Sequence, residues 1–362
     1  MMSARGRRAD VRFDECNAEF RDLNQMKTAV LGVGRMGRRL VRAAQKAGLQ
    51  VAGIFDTSRD SLNAAREELP LPDDVVFDDL DRLYSIVRPE CVIVATTADS
   101  HCELTCAAAE RGAKRILVEK PMAVSLAQCD RMIETCRLHG TRLAVNHQMR
   151  FIELYTEPKR LAATKAYDGF ASMTVVAGNM GFSMNAIHYF ESFRFISGED
   201  PVEVCAWFSP GAIANPRGAR FEDRAGSIRA VTTGGRRLYM DLGADQGHGV
   251  LVVYTCRNGF VIVNELTGEM VSSEREEQYR DLPTTRYGMP AVHARRTIQT
   301  ADLVDTSAAV LDALVRDQNN VSGEDGRKAV ALVVAAYQSA ERGGAPVRLD
   351  QRLDRDRVFP WA

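Results

Sequence analysis

One stretch, Gly32-Val33-Gly34-Arg35-Met36-Gly37, constrains the fold more than any other, because it stands between the apolar run Thr28-Ala29-Val30-Leu31 and the helix-like segment Arg38 to Ala44. Strand, glycine turn and helix in that order make the phosphate corner of a dinucleotide-binding fold. Gly32 allows the tight turn, Gly34 lets backbone approach a pyrophosphate, and Gly37 lets the helix, whose dipole faces the phosphates, pack on the strand; Arg35 and Met36 fall in the same cradle. A second apolar run, Gln50 to Phe55, ends in Asp56, nineteen residues after Gly37, which is the spacing of an acid that accepts the ribose hydroxyls. That carboxylate would repel a 2′-phosphate, so NAD is the expected cofactor. Arg59, three residues on, keeps NADP open.

From Lys27 the pattern alternates strand and helix, which predicts an α/β fold with a doubly wound parallel sheet. Cys91 to Ala95 is a continuous apolar run, as in a central parallel strand whose carboxyl end opens on the cofactor crevice, and it places Thr96 and Thr97 at the site. Arg115-Ile116-Leu117-Val118 runs straight into Glu119-Lys120-Pro121, and a further strand ends at Asn146. The nucleotide domain is expected over residues 26–150, after an N-terminal extension at 1–25 that reads as a mobile or a peripheral segment. Beyond it, Gly234-Gly235 and Asn258-Gly259 join alternating apolar runs as hairpin turns. Residues 151–362 are therefore predicted to form an α+β substrate and oligomerisation domain, with a mostly antiparallel open-faced sheet and helices at about 297–316 and 324–341.

The 362 residues carry 47 Lys plus Arg against 48 Asp plus Glu, which gives no electrostatic reason to expect nucleic acid or an anionic membrane as partner. A small molecule is the expected partner. There is no apolar run of membrane-spanning length and no signal core, so a cytoplasmic location is expected. The eight cysteines lack a C-x-x-C and read as reduced thiols; Cys102 and Cys106, four apart on a helix among small apolar residues, read as core thiols, and no metal site is expected.

Lys120, at the carboxyl end of a parallel strand, points its ammonium to where nicotinamide and substrate would meet. His188 opens an apolar helix and is a candidate proton carrier, with a core histidine as the alternative. Asn146 and Arg150 could hold substrate oxygens, or make an ordinary interdomain hydrogen bond and salt bridge.

Taken together, the glycine turn, Ala95-Thr96-Thr97 with His101, Glu119-Lys120-Pro121, Arg150-Phe151, the His188 segment and the run from Ser322-Gly323-Glu324 to Pro346-Val347 resemble the glucose-fructose oxidoreductase, inositol dehydrogenase and MocA family over about residues 26–349. The resemblance implies a nicotinamide Rossmann domain, an open-faced sheet domain, a homodimer or homotetramer, and hydride transfer on a sugar, cyclitol or related polyol. It assigns Lys120 and His188 as catalytic, and Glu119 and His101 to the cofactor side. A looser likeness around Gly178 to Tyr189 points to bacterial surface-sugar and nucleotide-sugar pathways.

One departure matters. Family members usually carry an aspartate four residues before the histidine, and this chain has Met184. Asn185 and Tyr189 are then the residues expected to reshape the pocket. Without that carboxylate, His188 is expected to titrate near an unperturbed value of about 6.5. The departure also keeps two other functions open: a cofactor-binding sensor or scaffold without turnover, and an imine or α-keto reductase on the same fold.

Overall fold

The computed structural model describes residues 26–211, 213, 215, 217–285, 288–351 and 353–361. The extension assigned to residues 1–25 lies outside them.

The first half is a six-stranded parallel sheet: β1 (Lys27–Leu31), β2 (Gln50–Phe55), β3 (Val76–Phe77), β4 (Cys91–Val94), β5 (Arg115–Val118) and β6 (Arg142–Val145). Helices α1 (Arg35–Lys46), α2 (Arg59–Glu68), α3 (Leu80–Val87), α4 (Ala98–Glu110) and α5 (Leu126–Leu138) connect them. The spatial order is β3-β2-β1-β4-β5-β6, so the winding reverses between β1 and β4. The crevice of such a sheet opens at the carboxyl ends of those two strands, where the glycine turn and Thr96 lie. All four residues of β4 are buried, as a strand covered by helices on both faces requires.

The second half is built on a nine-stranded sheet. It comprises β7 (Phe170–Gly178), β8 (Pro201–Phe208), β9 (Gly226–Thr232), β10 (Arg237–Gly243), β11 (Leu251–Cys256), β12 (Gly259–Asn264), β13 (Glu269–Arg275), β14 (Ala291–Thr297) and β15 (Val347–Arg348). Their order is β14-β13-β12-β11-β7-β10-β9-β8-β15, antiparallel except for the pair β7 and β10. Helices α6 (Glu153–Ala162), α7 (Ile187–Ser197), α8 (Leu303–Arg316) and α9 (Gly323–Glu341) complete the chain.

Two features differ from the sequence-based expectation. Residues up to Thr297 belong to the edge strand β14, so the helix expected from 297 starts at Leu303, where the Asp302 carboxylate caps the Val304 N–H at 2.6 Å. That helix also returns to the nucleotide half: Val310, Leu311 and Leu314 pack with Leu40, Val41 and Ala44 of α1 in one buried cluster. Each of these larger aliphatic side chains contributes about 2 kcal/mol by burial. Helix α9 begins in a capping box of Ser322 and Asp325, and it seats Gly326 against β6, where an added Cβ would come within 2.3 Å of Val145. The two halves are thus knitted by packed helices as well as by the connection near Arg150.

Candidate functional site

At the end of β1 the chain turns at Gly32, whose φ of +88° favours glycine and whose N–H donates to the Phe55 carbonyl at 2.7 Å. Helix α1 then passes so close that a Cβ on Gly37 would stand 1.8 Å from the Gly32 oxygen, whereas a Cβ on Gly34 would meet nothing within 4 Å. Gly37 therefore closes the corner and Gly34 opens it. The opening leads into a cavity of about 960 Å³ whose lining includes Gly32, Gly34, Arg35, Met36, Asp56, Thr96 and Thr97. No side chain caps α1, which leaves its first-turn amides for a ligand.

Asp56 does more than face the cavity. Its two oxygens accept the Val33 and Ser58 N–H groups, each at 2.8 Å, so the carboxylate ties the glycine turn to the start of α2. Each oxygen keeps a lone pair for a ribose hydroxyl. A backbone cradle that a side chain at 37 would close, open space at Gly34 and a fixed acid on the wall fit a dinucleotide. Arg59, the candidate partner of a 2′-phosphate, is exposed on α2 and does not line the cavity.

His101 departs from the cofactor role assigned to it. It is buried under the β4–α4 turn, with its ring nitrogens 3.0 Å from the Pro121 carbonyl and 3.3 Å from the Thr96 carbonyl. Burial pushes its pKa down to about 4, so it braces the loops as a neutral ring.

Beyond β5, Glu119 is buried and engaged at both oxygens: one accepts the Asn146 amide at 2.6 Å, the other the Lys120 N–H at 3.2 Å. Asn146, expected on the substrate, instead positions Glu119. The Lys120 ammonium lies on the Met184 carbonyl, in the π-helical turn Phe182–Ala186 that leads into α7. Burial lowers its pKa below the usual lysine value, with Glu119 and Asp223 opposing the shift and Arg217 adding to it.

His188 stands in the first turn of α7. Its Nδ1 is 3.3 Å from Nδ1 of His147, with the rings edge to face at 5.2 Å. Only one of those nitrogens can carry the proton, so the two tautomers are coupled. Burial, then the charge of Lys120, then His147, hold the His188 pKa well below its ordinary value, which overturns the expectation of about 6.5. His147 is itself pushed down to about 3, chiefly by burial.

Three substrate candidates fall elsewhere. Arg150 donates from Nε to Glu191 at 2.6 Å and lies 3.6 Å from Asp325, inside a partly buried ion network with Arg194. Tyr189 points into the sheet core and donates to Glu265 at 2.8 Å, because one residue along a helix turns the side chain about 100° away from His188. Asn185 is exposed on the turn. Met184, where the usual aspartate is absent, lines the dinucleotide cavity.

Two residues were missed. His147 follows Asn146 directly, and its signal was a second histidine at the same strand end. Asp223 had no local signal: it arrives from the β8–β9 connection and is buried, accepting the Ser183 N–H at 3.0 Å and the Met184 N–H at 2.8 Å. Tyr337 donates to it at 3.3 Å, and that phenol packs against Phe359 and Trp361 of the chain's last residues.

A Rossmann cleft whose wall includes Met184, the residue whose carbonyl takes the Lys120 ammonium, together with a sheet-built second half, defines a two-part dinucleotide-binding protein. Residues 26–147 match the Gfo/Idh/MocA model, described as an oxidoreductase family with an NAD-binding Rossmann fold. It is 37% identical over 140 residues to 2,7-anhydro-N-acetylneuraminate hydratase of Mediterraneibacter gnavus, covering 38% of this chain and 36% of that one. The match thus spans about a third of that relative's length. Myo-inositol 2-dehydrogenase of Thermotoga maritima is 23% identical over 350 residues, 87% of this chain and 96% of the relative. Among solved structures, an Agrobacterium radiobacter oxidoreductase in complex with NAD+, L-tartaric acid and magnesium superposes with a TM-score of 0.71 at 19% identity, covering 90% and 98% of the two chains, a likeness of fold.

Proposed function

We propose that the protein is an NAD-dependent oxidoreductase that moves a hydride between nicotinamide and a hydroxyl or carbonyl carbon of a sugar, nucleotide sugar or cyclitol. The observation that carries this is that the Lys120 ammonium, whose charge acts on His188 of the His147–His188 pair, rests on the carbonyl of Met184, a residue of the cleft wall. Gly32, Gly34, the α1 amides and Asp56 would hold the cofactor, and Asp56 favours NAD over NADP. Bound nicotinamide supplies a hydride acceptor or donor.

The chain's own groups handle the proton. When His188 donates from Nδ1 to Nδ1 of His147, its Nε2 lone pair is free to accept the substrate hydroxyl proton. The imidazolium so formed keeps its Nδ1–H on His147. Lys120 donates a hydrogen bond to the developing alkoxide, an interaction strengthened by exclusion of water. In the reducing direction His188 returns the proton from Nε2.

Relatives named for an anhydro-neuraminate and for myo-inositol support a polyhydroxylated ring as substrate. A role in surface-sugar biosynthesis goes with the nucleotide-sugar option. Trp207, Tyr239 and Ile262 stand exposed on strands of the large sheet, which supports a homodimer or homotetramer through that face. The free thiols at the described cysteines support a reducing, cytoplasmic setting. A panel of sugars, nucleotide sugars and cyclitols, assayed by nicotinamide absorbance with NAD and NADP, tests the reading. NAD binding with no turnover on any class would favour a non-catalytic binder instead.

A further inference from the structure

We propose that Arg217 and Arg220, carried by the connection between β8 and β9, form an anion site over the dinucleotide cleft that takes the diphosphate of the cofactor; this rests on the cleft being a dinucleotide site. The connection leaves the large sheet at Phe208 and rejoins it at Gly226, and on the way it brings both guanidinium groups into the wall that also holds Gly34, Arg35 and Met36. The phosphate corner is thereby completed by the other half of the molecule.

Among the described residues neither guanidinium donates a hydrogen bond, although Arg220 has an acid nearby. The Arg220 guanidinium lies 3.6 Å from Asp99 and 4.4 Å from the Phe221 ring centre, while the second Asp99 oxygen accepts the Thr97 hydroxyl at 2.5 Å. Arg217 is set by its backbone, whose N–H donates to the Asn215 side chain at 3.0 Å; the Asn215 amide in turn lies 3.2 Å from the Met184 sulfur.

The balance of charge points to an anion. Of the acids on the cavity wall, Asp56 is held by two amides, Asp99 by Thr97 and Arg220, and Glu103 by Arg131 at 2.6 Å. Among the described residues no carboxylate lies within ion-pair distance of Arg35 or Arg217. Enclosure in the cleft lowers the Arg217 pKa, Glu119 opposes that shift, and the like charge of Arg35 adds to it. A doubly charged diphosphate between them would relieve both, and guanidinium forks suit phosphate oxygens.

The test measures binding to the full chain of NADH, ADP, adenosine and inorganic pyrophosphate, for the parent and for Arg217→Ala, Arg220→Ala and their combination. Unchanged circular dichroism and melting temperature would confirm folding, as expected for side chains on the wall of a cleft. The double variant should bind NADH, ADP and pyrophosphate at least tenfold more weakly, keep its affinity for adenosine, and show a shallower salt dependence for NADH; Arg217→Lys should recover part of the loss. Equal affinity of parent and double variant for NADH and pyrophosphate would overturn the proposal, as would failure of the parent to bind either. Pyrophosphate binding that depends on Arg217 in a parent that ignores NADH would keep the anion site and reject the cofactor assignment.

Discussion

The Lys120 ammonium rests on the carbonyl of Met184, the residue that stands where a carboxylate is usual, and the N–H of that same Met184 is held by Asp223. A carboxylate from a distant part of the chain thus fixes, through one residue, the backbone on which the site lysine lies.

Asp223→Asn should therefore shift the chemistry and spare the cofactor. The variant keeps one acceptor for the two amides but loses the charge that raises the Lys120 pKa. The alkaline limb of the rate profile, where Lys120 loses its proton, should move to lower pH, with kcat falling more than KM rises and NAD affinity unchanged. Asp223→Ala should add about 1–3 kcal/mol of destabilisation from the unpaired buried amides. An unmoved alkaline limb in Asp223→Asn would confine Asp223 to the fold.

Gly34→Ala separates folding from binding. Gly34 has φ −60° and ψ −171°, which alanine adopts, and a Cβ there meets no protein atom within 4 Å. The variant should melt like the parent and bind NAD at least tenfold more weakly, about 1.4 kcal/mol. Gly37→Ala, with its Cβ against the Gly32 oxygen, should lose stability as well. Titration with NADH and thermal melts of both variants check the pair, and full affinity in Gly34→Ala would remove the dinucleotide from this corner.

The β1, glycine turn, α1 and Asp56 unit was legible because its chemistry is local: glycines, an apolar run and an acid at fixed spacing. The candidate site was legible only in part. Lys120 and His188 stood out as residue types at element ends, whereas Asp223, 39 positions beyond Met184, becomes its neighbour only through the fold. Arg150 and Tyr189 misled for the same reason: the sequence showed polar groups near the site but not the Glu191 and Glu265 carboxylates that engage them. Nor could the pattern of α8 reveal that its apolar face lies on α1, since a helix with one apolar stripe packs equally well on either half.

Buried neutral histidines set a pH dependence of stability. His101 and His147, with folded pKa values of about 4 and about 3, bind fewer protons in the native state than in the unfolded state below about pH 6.5. Each therefore withdraws stability as pH falls below that value, by up to about 1.4 kcal/mol per pH unit until its folded pKa is reached. Glu265, raised to about 7 by burial, acts in the opposite sense, so the informative quantity is the difference between parent and variant. His101→Asn should lose less stability than the parent between pH 7 and pH 5 in urea denaturation. A parallel loss in both would mean that His101 is protonated when folded.

The same burial predicts the rate profile. With the His188 pKa held well below 6.5, the neutral base is fully present at neutral pH. Oxidation should be flat through that region and fall only in acid, with an alkaline decline as Lys120, depressed below the ordinary lysine value, deprotonates. A steep rise centred near pH 6.5 would show an unperturbed base.

The central claim is that Lys120 and His188 carry out the proton chemistry of hydride transfer, and a single-turnover experiment tests it most directly. Protein in excess over NAD is mixed with a substrate from the panel, and the nicotinamide absorbance is followed in the parent, Lys120→Ala and His188→Ala, after equal cofactor binding has been established. The account predicts reduction of bound NAD in one turnover by the parent, at least about a hundredfold slower in each variant. Parent-like rates in both variants would contradict it.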